Sequence, residues 1–403
     1  MKDGKNLLWL TIIILGVFAC SNQSSTTSQV TNTKFPSDST VQEITLAPSL
    51  PPQATTIVPV EPTPTTDPAK FPLGNRGPYW TGRKEITLFD DRRDEREITL
   101  TVWYPALKQT DANGKIISQN AVPDMSKAPY PVIMTGSNSG DYLFKSHLAS
   151  HGFVMVIVRS PEFSYEAPWN NSVIDGPLDF LFALDDLTSN PPEGLEDVLD
   201  TNRVGVAGYS SDGLFSLALG GARINPEYYF SQCAQASSLD SPLSPSLINY
   251  YCKLSRRWDE FSSQIGADIS TVSEGLWQST TDDRILAVMP MAPDSAWLYG
   301  VEGLAAINIP SLIIAGTDDN LASYKLSSCY IYEHLMNSDT SLISFIGKGH
   351  MMVQTSEVIS RINHFSVAFF GYHLQGREDY AYYFSDEFVA QFDDLAWGVY
   401  PQE

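Results

Sequence analysis

Arg203-Val204-Gly205-Val206-Ala207-Gly208-Tyr209-Ser210-Ser211-Asp212-Gly213 reads as a buried strand that turns sharply into a helix with a serine at the bend. Beyond it, Leu214, Leu217, Ala218 and Gly221 repeat small or apolar residues at helical spacing. Such a turn strains the serine backbone and crowds its neighbours, so small residues are needed on either side. The helix that follows directs free N–H groups and the positive end of its dipole at the serine oxygen. An ordinary strand-to-helix turn would look the same in isolation, so the rest of the chain has to decide.

Two further strand ends carry matching chemistry. Ile309-Pro310-Ser311-Leu312-Ile313-Ile314-Ala315-Gly316-Thr317-Asp318-Asp319 is an aliphatic, β-branched run that ends in two carboxylates. Leu342-Ile343-Ser344-Phe345-Ile346 then leads into Gly347-Lys348-Gly349-His350, a strand followed by a glycine-loosened loop with a histidine. Serine, acid and histidine, each at the end of a predicted strand, follow the order in which an α/β-hydrolase supplies its triad.

On these motifs the chain resembles the platelet-activating-factor acetylhydrolase and dienelactone-hydrolase-like group of α/β-hydrolases, with cutinase-type polyester hydrolases as near relatives. Gly77-Pro78-Tyr79-Trp80, Glu85-Ile86-Thr87-Leu88-Phe89 and Thr101-Val102-Trp103-Tyr104-Pro105-Ala106 are similar to the opening of that group. The resemblance covers residues 71–403. It implies a mostly parallel sheet with helices on both faces, Ser210 as nucleophile, His350 as base and an acid in the Gly-x-x-Asp loop. Asp319 is the preferred acid, with Asp318 capping the next helix. Asp294, beyond the strand that ends at Met291, competes for the acid role. The chain departs from the group at Asp212, where Gly is usual, and at Thr135-Gly136, where His-Gly is frequent. A carboxylate at 212 is expected to oppose an oxyanion and to stabilise protonated His350, so that Asp212→Gly would raise turnover and extend activity to lower pH.

The oxyanion needs backbone N–H groups from the residue after the nucleophile and from the loop after the third strand, which are Ser211 and Ser137. The loop Thr135–Gly140 reads as flexible. Tyr209 and Trp297 are candidate substrate contacts, Trp297 standing where polyester hydrolases present an aromatic wall; core packing is the competing reading. His147, His151, His334, His364 and His373 lie in predicted helices and are read as structural or surface residues.

The predicted strands are Glu97–Tyr104, Pro131–Gly136, Val154–Arg159, Arg203–Gly208, Ile285–Met291, Ser311–Gly316 and Leu342–Ile346, alternating with helical segments in one catalytic domain. An insertion, 223–283, interrupts the alternation and is expected to form a cap or side lobe near the mouth of the site. Within it Cys233 and Cys252 are a candidate disulfide, and Cys329 is read as a buried thiol on one helical face with Leu326 and Met336.

Lys2 and Lys5 precede the apolar run from Leu7 to Ala19, the arrangement of a secretory signal. Val17-Phe18-Ala19-Cys20 looks like a bacterial lipobox, with residues 1–20 as signal and Cys20 as the lipidated residue. A plain cleaved signal peptide is the alternative. Residues 21–70, rich in Ser, Thr and Pro, read as a disordered tether whose Pro-rich end, from Pro51 to Pro72, stays extended. These features place the catalytic domain outside the cytoplasm, anchored by lipid to the outer membrane or cell surface. A formal charge of −22 argues against a phosphate-tracking surface, so no nucleic-acid partner is expected. No metal or other cofactor is expected either, and the chain is read as a monomer acting on an ester substrate of lipid, phenolic or polyester type. An acyltransferase of the same fold and a non-catalytic ligand-binding lipoprotein are the alternatives.

Overall fold

In the computed structural model, described for residues 70–161, 169–238, 244–294, 296–336 and 339–401, nine strands form one sheet. They are β1 Trp80–Asp90, β2 Arg96–Ala106, β3 Tyr130–Gly136, β4 Val154–Arg159, β5 Leu199–Tyr209, β6 Ile285–Met291, β7 Ser311–Gly316, β8 Thr340–Phe345 and β9 Leu395–Trp397. Their order is β1-β2-β4-β3-β5-β6-β7-β8-β9. The six strands from β4 to β8 run parallel, while β1 and β2 at one edge and β9 at the other pair antiparallel. The described residues belong to the compact unit Glu61–Glu403. The signal, Cys20 and residues 21–69 of the tether lie outside the described residues.

Why the central strands are continuous apolar runs is plain from their two faces. In β4, Met155 and Ile157 join one core cluster and Val154, Val156 and Val158 another. In β5, Ala207 and Tyr209 go to the first, and Val204 and Val206 to the second. A strand buried on both sides has no polar face to show, so its residues alternate between two apolar layers. The long helix Ser356–Gln375 covers the first face through Phe365, Phe369 and Phe370. The second face takes Phe180 and Leu184 of the helix Trp169–Ser189, together with Phe215 and Leu219 of the elbow helix Ser211–Leu219.

The seven strands read from the sequence are present; β2, β3 and β5 extend beyond their predicted ends, and β8 begins and ends earlier than expected. The two edge strands, β1 in full and β9, were not among the seven. The insertion folds as helices Pro226–Ala236, Pro245–Tyr251 and Trp258–Ile265, each of the first two started by a side-chain cap: Asn225 accepts from Tyr228 N–H and Ser244 from Leu247 N–H. A disulfide between Cys233 and Cys252 joins these two helices, with Cα atoms 5.5 Å apart. Closing a loop of this size contributes about 3 kcal/mol. Phe261 stacks on Trp277 at 5.5 Å, giving the insertion its own aromatic centre. Cys329 is a buried free thiol, its pKa pushed up to about 11 by burial. The proposed apolar face with Met336 is corrected: Met336 is 74% exposed, beyond the end of the helix Tyr330–His334.

Candidate active site

Ser210 sits between β5 and the elbow helix at φ 59°, ψ −119°, in the left-handed half of backbone space. Such a conformation costs on the order of 1–3 kcal/mol in a residue with a Cβ and has to be imposed by its surroundings. Here Ser210 N–H donates to the Met291 carbonyl at the end of β6, 2.9 Å away, which anchors the bend across the sheet. The close passage of chain also explains Gly208, where a Cβ would stand 1.9 Å from the Asp212 carbonyl oxygen.

The three residues singled out from strand ends come together. His350 Nε2 lies 3.0 Å from Ser210 Oγ, and His350 Nδ1 lies 2.8 Å from Asp319 Oδ2. Asp319 is 2% exposed at its side chain and His350 10%. The other oxygen of Asp319 accepts from Leu321 N–H at 3.0 Å and Ala322 N–H at 2.9 Å. Asp319 therefore caps the turn it begins, and the cap assigned to Asp318 is corrected; Asp318 instead accepts from the Thr317 hydroxyl and donates its N–H to the Lys348 carbonyl.

The acid and histidine loops are stitched to each other because β7 and β8 are neighbours. Gly347 N–H donates to Thr317 Oγ1, Thr317 N–H to the Phe345 carbonyl, and a Cβ at Gly316 would lie 2.1 Å from the Lys348 carbonyl oxygen. Tyr209, buried, donates its phenol to the carbonyl of His350. Burial, then the Asp319 carboxylate, pushes that phenol well above the usual tyrosine range, so it remains a donor. This contact is one the sequence reading missed: the side chain beside Ser210 holds the main chain of His350.

Asp294 is elsewhere. It is 1% exposed and accepts from the Tyr250 phenol of the insertion at 2.5 Å. Tyr251, next in sequence, donates to the Ala322 carbonyl at 2.8 Å and packs on Trp297 with ring centroids 5.0 Å apart. The insertion thus braces the acid loop from behind. Trp297 is 5% exposed within a core cluster, so the packing reading describes it here and little of the ring is open to a substrate. Tyr209, 5% exposed, is likewise a packed side chain.

Residues 137–139 form a helical turn that runs on into the turn Gly140–Phe144, which corrects the expectation of a flexible loop after β3. Asp212 explains the order. Its Oδ2 accepts from Ser139 N–H at 2.9 Å and from Ser139 Oγ at 2.8 Å, and Ser139 Oγ accepts from Tyr209 N–H at 2.7 Å. Its Oδ1 occupies the space that a Cβ at Gly136 would need, 2.2 Å away. The carboxylate at 212, one of the departures noted in the sequence, thus fills the room left by glycine at 136. Asp212, 2% exposed, is a tie from the elbow helix to Ser139, 0% exposed, in the turn after β3, and the expected gain from Asp212→Gly does not follow. Ser137 and Ser211 each open a helical turn, where N–H groups have no intrahelical acceptor.

Among the described residues no cluster of three or more His, Cys, Asp or Glu is placed to hold a metal ion, and no helix is long and apolar enough to cross a membrane. No protein-family model matches the chain, and no curated protein matches it.

Proposed function

We propose that this protein is a serine hydrolase of the α/β-hydrolase fold that cleaves carboxylic esters through an acyl-enzyme. The observation that carries the reading is the continuous line from Ser210 Oγ through His350 to Asp319, at 3.0 and 2.8 Å. His350 Nε2 takes the hydroxyl proton as Ser210 Oγ attacks the ester carbonyl, and Asp319 holds Nδ1–H and stabilises the imidazolium. The Ser137 and Ser211 N–H groups hold the oxyanion. Collapse of the tetrahedral intermediate expels the alcohol, which receives the proton from His350. Water, deprotonated by the same imidazole, then adds to the acyl-enzyme and releases the acid with Ser210 restored.

The strand order supports membership in that fold, with the elbow after β5, the acid after β7 and the histidine after β8. Leu321 and Met351, close in sequence to the acid and the base, are 55% and 57% exposed and favour an ester with an apolar part. The paired Cys233 and Cys252 suit an oxidising, exported compartment. We place the protein there as a lipoprotein anchored through Cys20, so that Cys20→Ser should move it to the soluble fraction with its specific activity unchanged.

The test is labelling with a fluorophosphonate probe alongside nitrophenyl-ester turnover. Wild-type protein should label stoichiometrically, and Ser210→Ala should neither label nor retain activity, losing several orders of magnitude in kcat. An unlabelled wild type, or more than about a tenth of turnover left in Ser210→Ala, overturns the proposal.

A further inference from the structure

At the opposite end of the parallel strands from Ser210 lies a cavity of about 310 Å³. Arg203 of β5 lines it, seven residues before the nucleophile, so the two places are separated by roughly 23 Å at the rise of an extended strand. Its charged lining residues are Lys127, Arg203 and Arg377; none is Asp or Glu, in a chain of net charge −22.

Counting donors defines what it can hold. Arg203 donates Nε–H to Asp200 at 2.6 Å, one Nη1–H to the Leu374 carbonyl and one Nη2–H to the Pro129 carbonyl. Of the five N–H bonds on a guanidinium, two remain. Arg377 gives two to Asp379, at 2.8 and 2.6 Å, and one to the Tyr380 side chain, and keeps two. Gln375 is spent, its amide donating to the carbonyls of His151 and Gly152. Lys127 is exposed and can supply more. A cavity with this surplus of cationic donors and no carboxylate on its wall favours an anion.

Apart from His151, whose Nε2 meets the Asn75 carbonyl, the remainder of the wall is apolar. Tyr79 and Tyr130 meet edge to face with centroids 5.7 Å apart, and the Tyr380 ring lies under the Arg377 guanidinium at 4.0 Å. Prolines 78, 129 and 131 add surface without N–H groups. Tyr130 and Tyr380 are 3% and 8% exposed, so the open apolar surface is that of half-buried Tyr79 and of exposed Pro78 and Pro129, which an inorganic anion would leave wet. The volume is at the lower end of small-molecule sites. We propose that this cavity binds a small aromatic carboxylate, its charge among Lys127, Arg203 and Arg377 and its ring against Tyr79, Pro78 and Pro129.

Binding here does not depend on the triad. Titration calorimetry of the full chain with benzoate, benzamide and inorganic phosphate tests it. Benzoate should saturate one site, unchanged in Ser210→Ala, and should weaken about tenfold or more in Lys127→Gln and in Arg377→Gln, variants checked for an intact fold by thermal unfolding. Benzamide and phosphate should bind at least about tenfold more weakly than benzoate. Absence of saturable benzoate binding up to ~10 mM, equal binding of benzamide or phosphate, loss of binding in Ser210→Ala, or no effect of either cavity substitution would each overturn the proposal.

Discussion

Asp212→Ala is the substitution in which the local geometry and the chemistry are most tightly linked. It removes the acceptor of two hydrogen bonds, from Ser139 N–H at 2.9 Å and Ser139 Oγ at 2.8 Å, at a site where Ser139 is 0% and Asp212 2% exposed. Hydrogen bonds to a charged group contribute about 1.5–3 kcal/mol each, and a buried N–H left without an acceptor costs about 1–3 kcal/mol. Relief from burying the carboxylate offsets part of the sum, which leaves a net loss of about 2–4 kcal/mol. The same change frees the turn that begins at Ser137. Deleting an oxyanion donor outright costs about 10²–10³ in kcat, so a donor that is loosened but still present should cost about 10–100-fold, with KM nearly unchanged. The assay pairs urea unfolding with kcat and KM on a nitrophenyl ester, with Asp212→Asn, which retains an acceptor, expected between Asp212→Ala and wild type. A kcat for Asp212→Ala equal to or above wild type, with an unmoved urea midpoint, would refute the tie and restore the view of Asp212 as a brake on acylation.

Three further outcomes follow from the site and the core. Asp319→Asn should lower kcat about 10⁴-fold by favouring the wrong imidazole tautomer, whereas Asp294→Asn should keep most activity; the reverse pattern in steady-state kinetics would move the acid role to Asp294. Tyr209→Phe deletes the donor to the His350 carbonyl and should reduce kcat about 5–10-fold, equivalent to about 1–1.5 kcal/mol, without moving KM; an unaltered kcat would deny the positioning role. His364 is fully buried and accepts from Leu73 N–H at Nδ1, and burial first, then His151 and His147, pushes its pKa down to about 3. Its folded pKa lies below the unfolded value of about 6.5, so the unfolded chain binds the extra proton and the contribution is complete above pH 6.5. Unfolding free energy should then fall by up to about 1.4 kcal/mol per pH unit as pH drops from 6.5 towards 3, and His364→Gln should flatten that slope in urea titrations; an equal slope in both proteins refutes the assignment.

Most of the sheet could be read from the chain because a strand buried on both faces must be apolar throughout, and the shortness and β-branched residues of Val154–Arg159 and Ser311–Gly316 mark them as strands rather than buried helix. β9 escaped because three residues, Leu395–Trp397, are too few to show a period, and it exists only as an edge partner for β8. The long β1 was noted only in its middle, Glu85–Phe89, where exposed Glu85, Thr87 and Phe89 alternate with Ile86 and Leu88; Trp80–Lys84 is half-buried apart from Gly82 and shows no such alternation. The same limit applied to single side chains. Trp297 and Tyr209 were noticed for what their rings could offer a substrate, yet both are inside, where Trp297 packs on Tyr251 and Tyr209 holds the main chain of His350.

The chain by itself determined where a nucleophile, an acid and a base could stand, because the sharp turn at Ser210 demands glycine and small residues in consecutive positions, and because Asp319 and His350 each follow an aliphatic strand at a loop rich in glycine or short polar residues. It favoured Asp319 over Asp294 only through the resemblance to a Gly-x-x-Asp loop, since each lies just beyond a buried parallel strand and local pattern carries no information about which strand adjoins the histidine loop. The tertiary structure sets the two apart. β7 lies beside β8, which brings Asp319 within 2.8 Å of His350, while the insertion sends Tyr250 to occupy Asp294. It decided the meaning of Asp212 as well, by placing Ser139 against it from 73 residues away. Propensity and patterning act over one or two turns of chain, whereas hydrogen-bond partners are set by which backbones the sheet lays side by side.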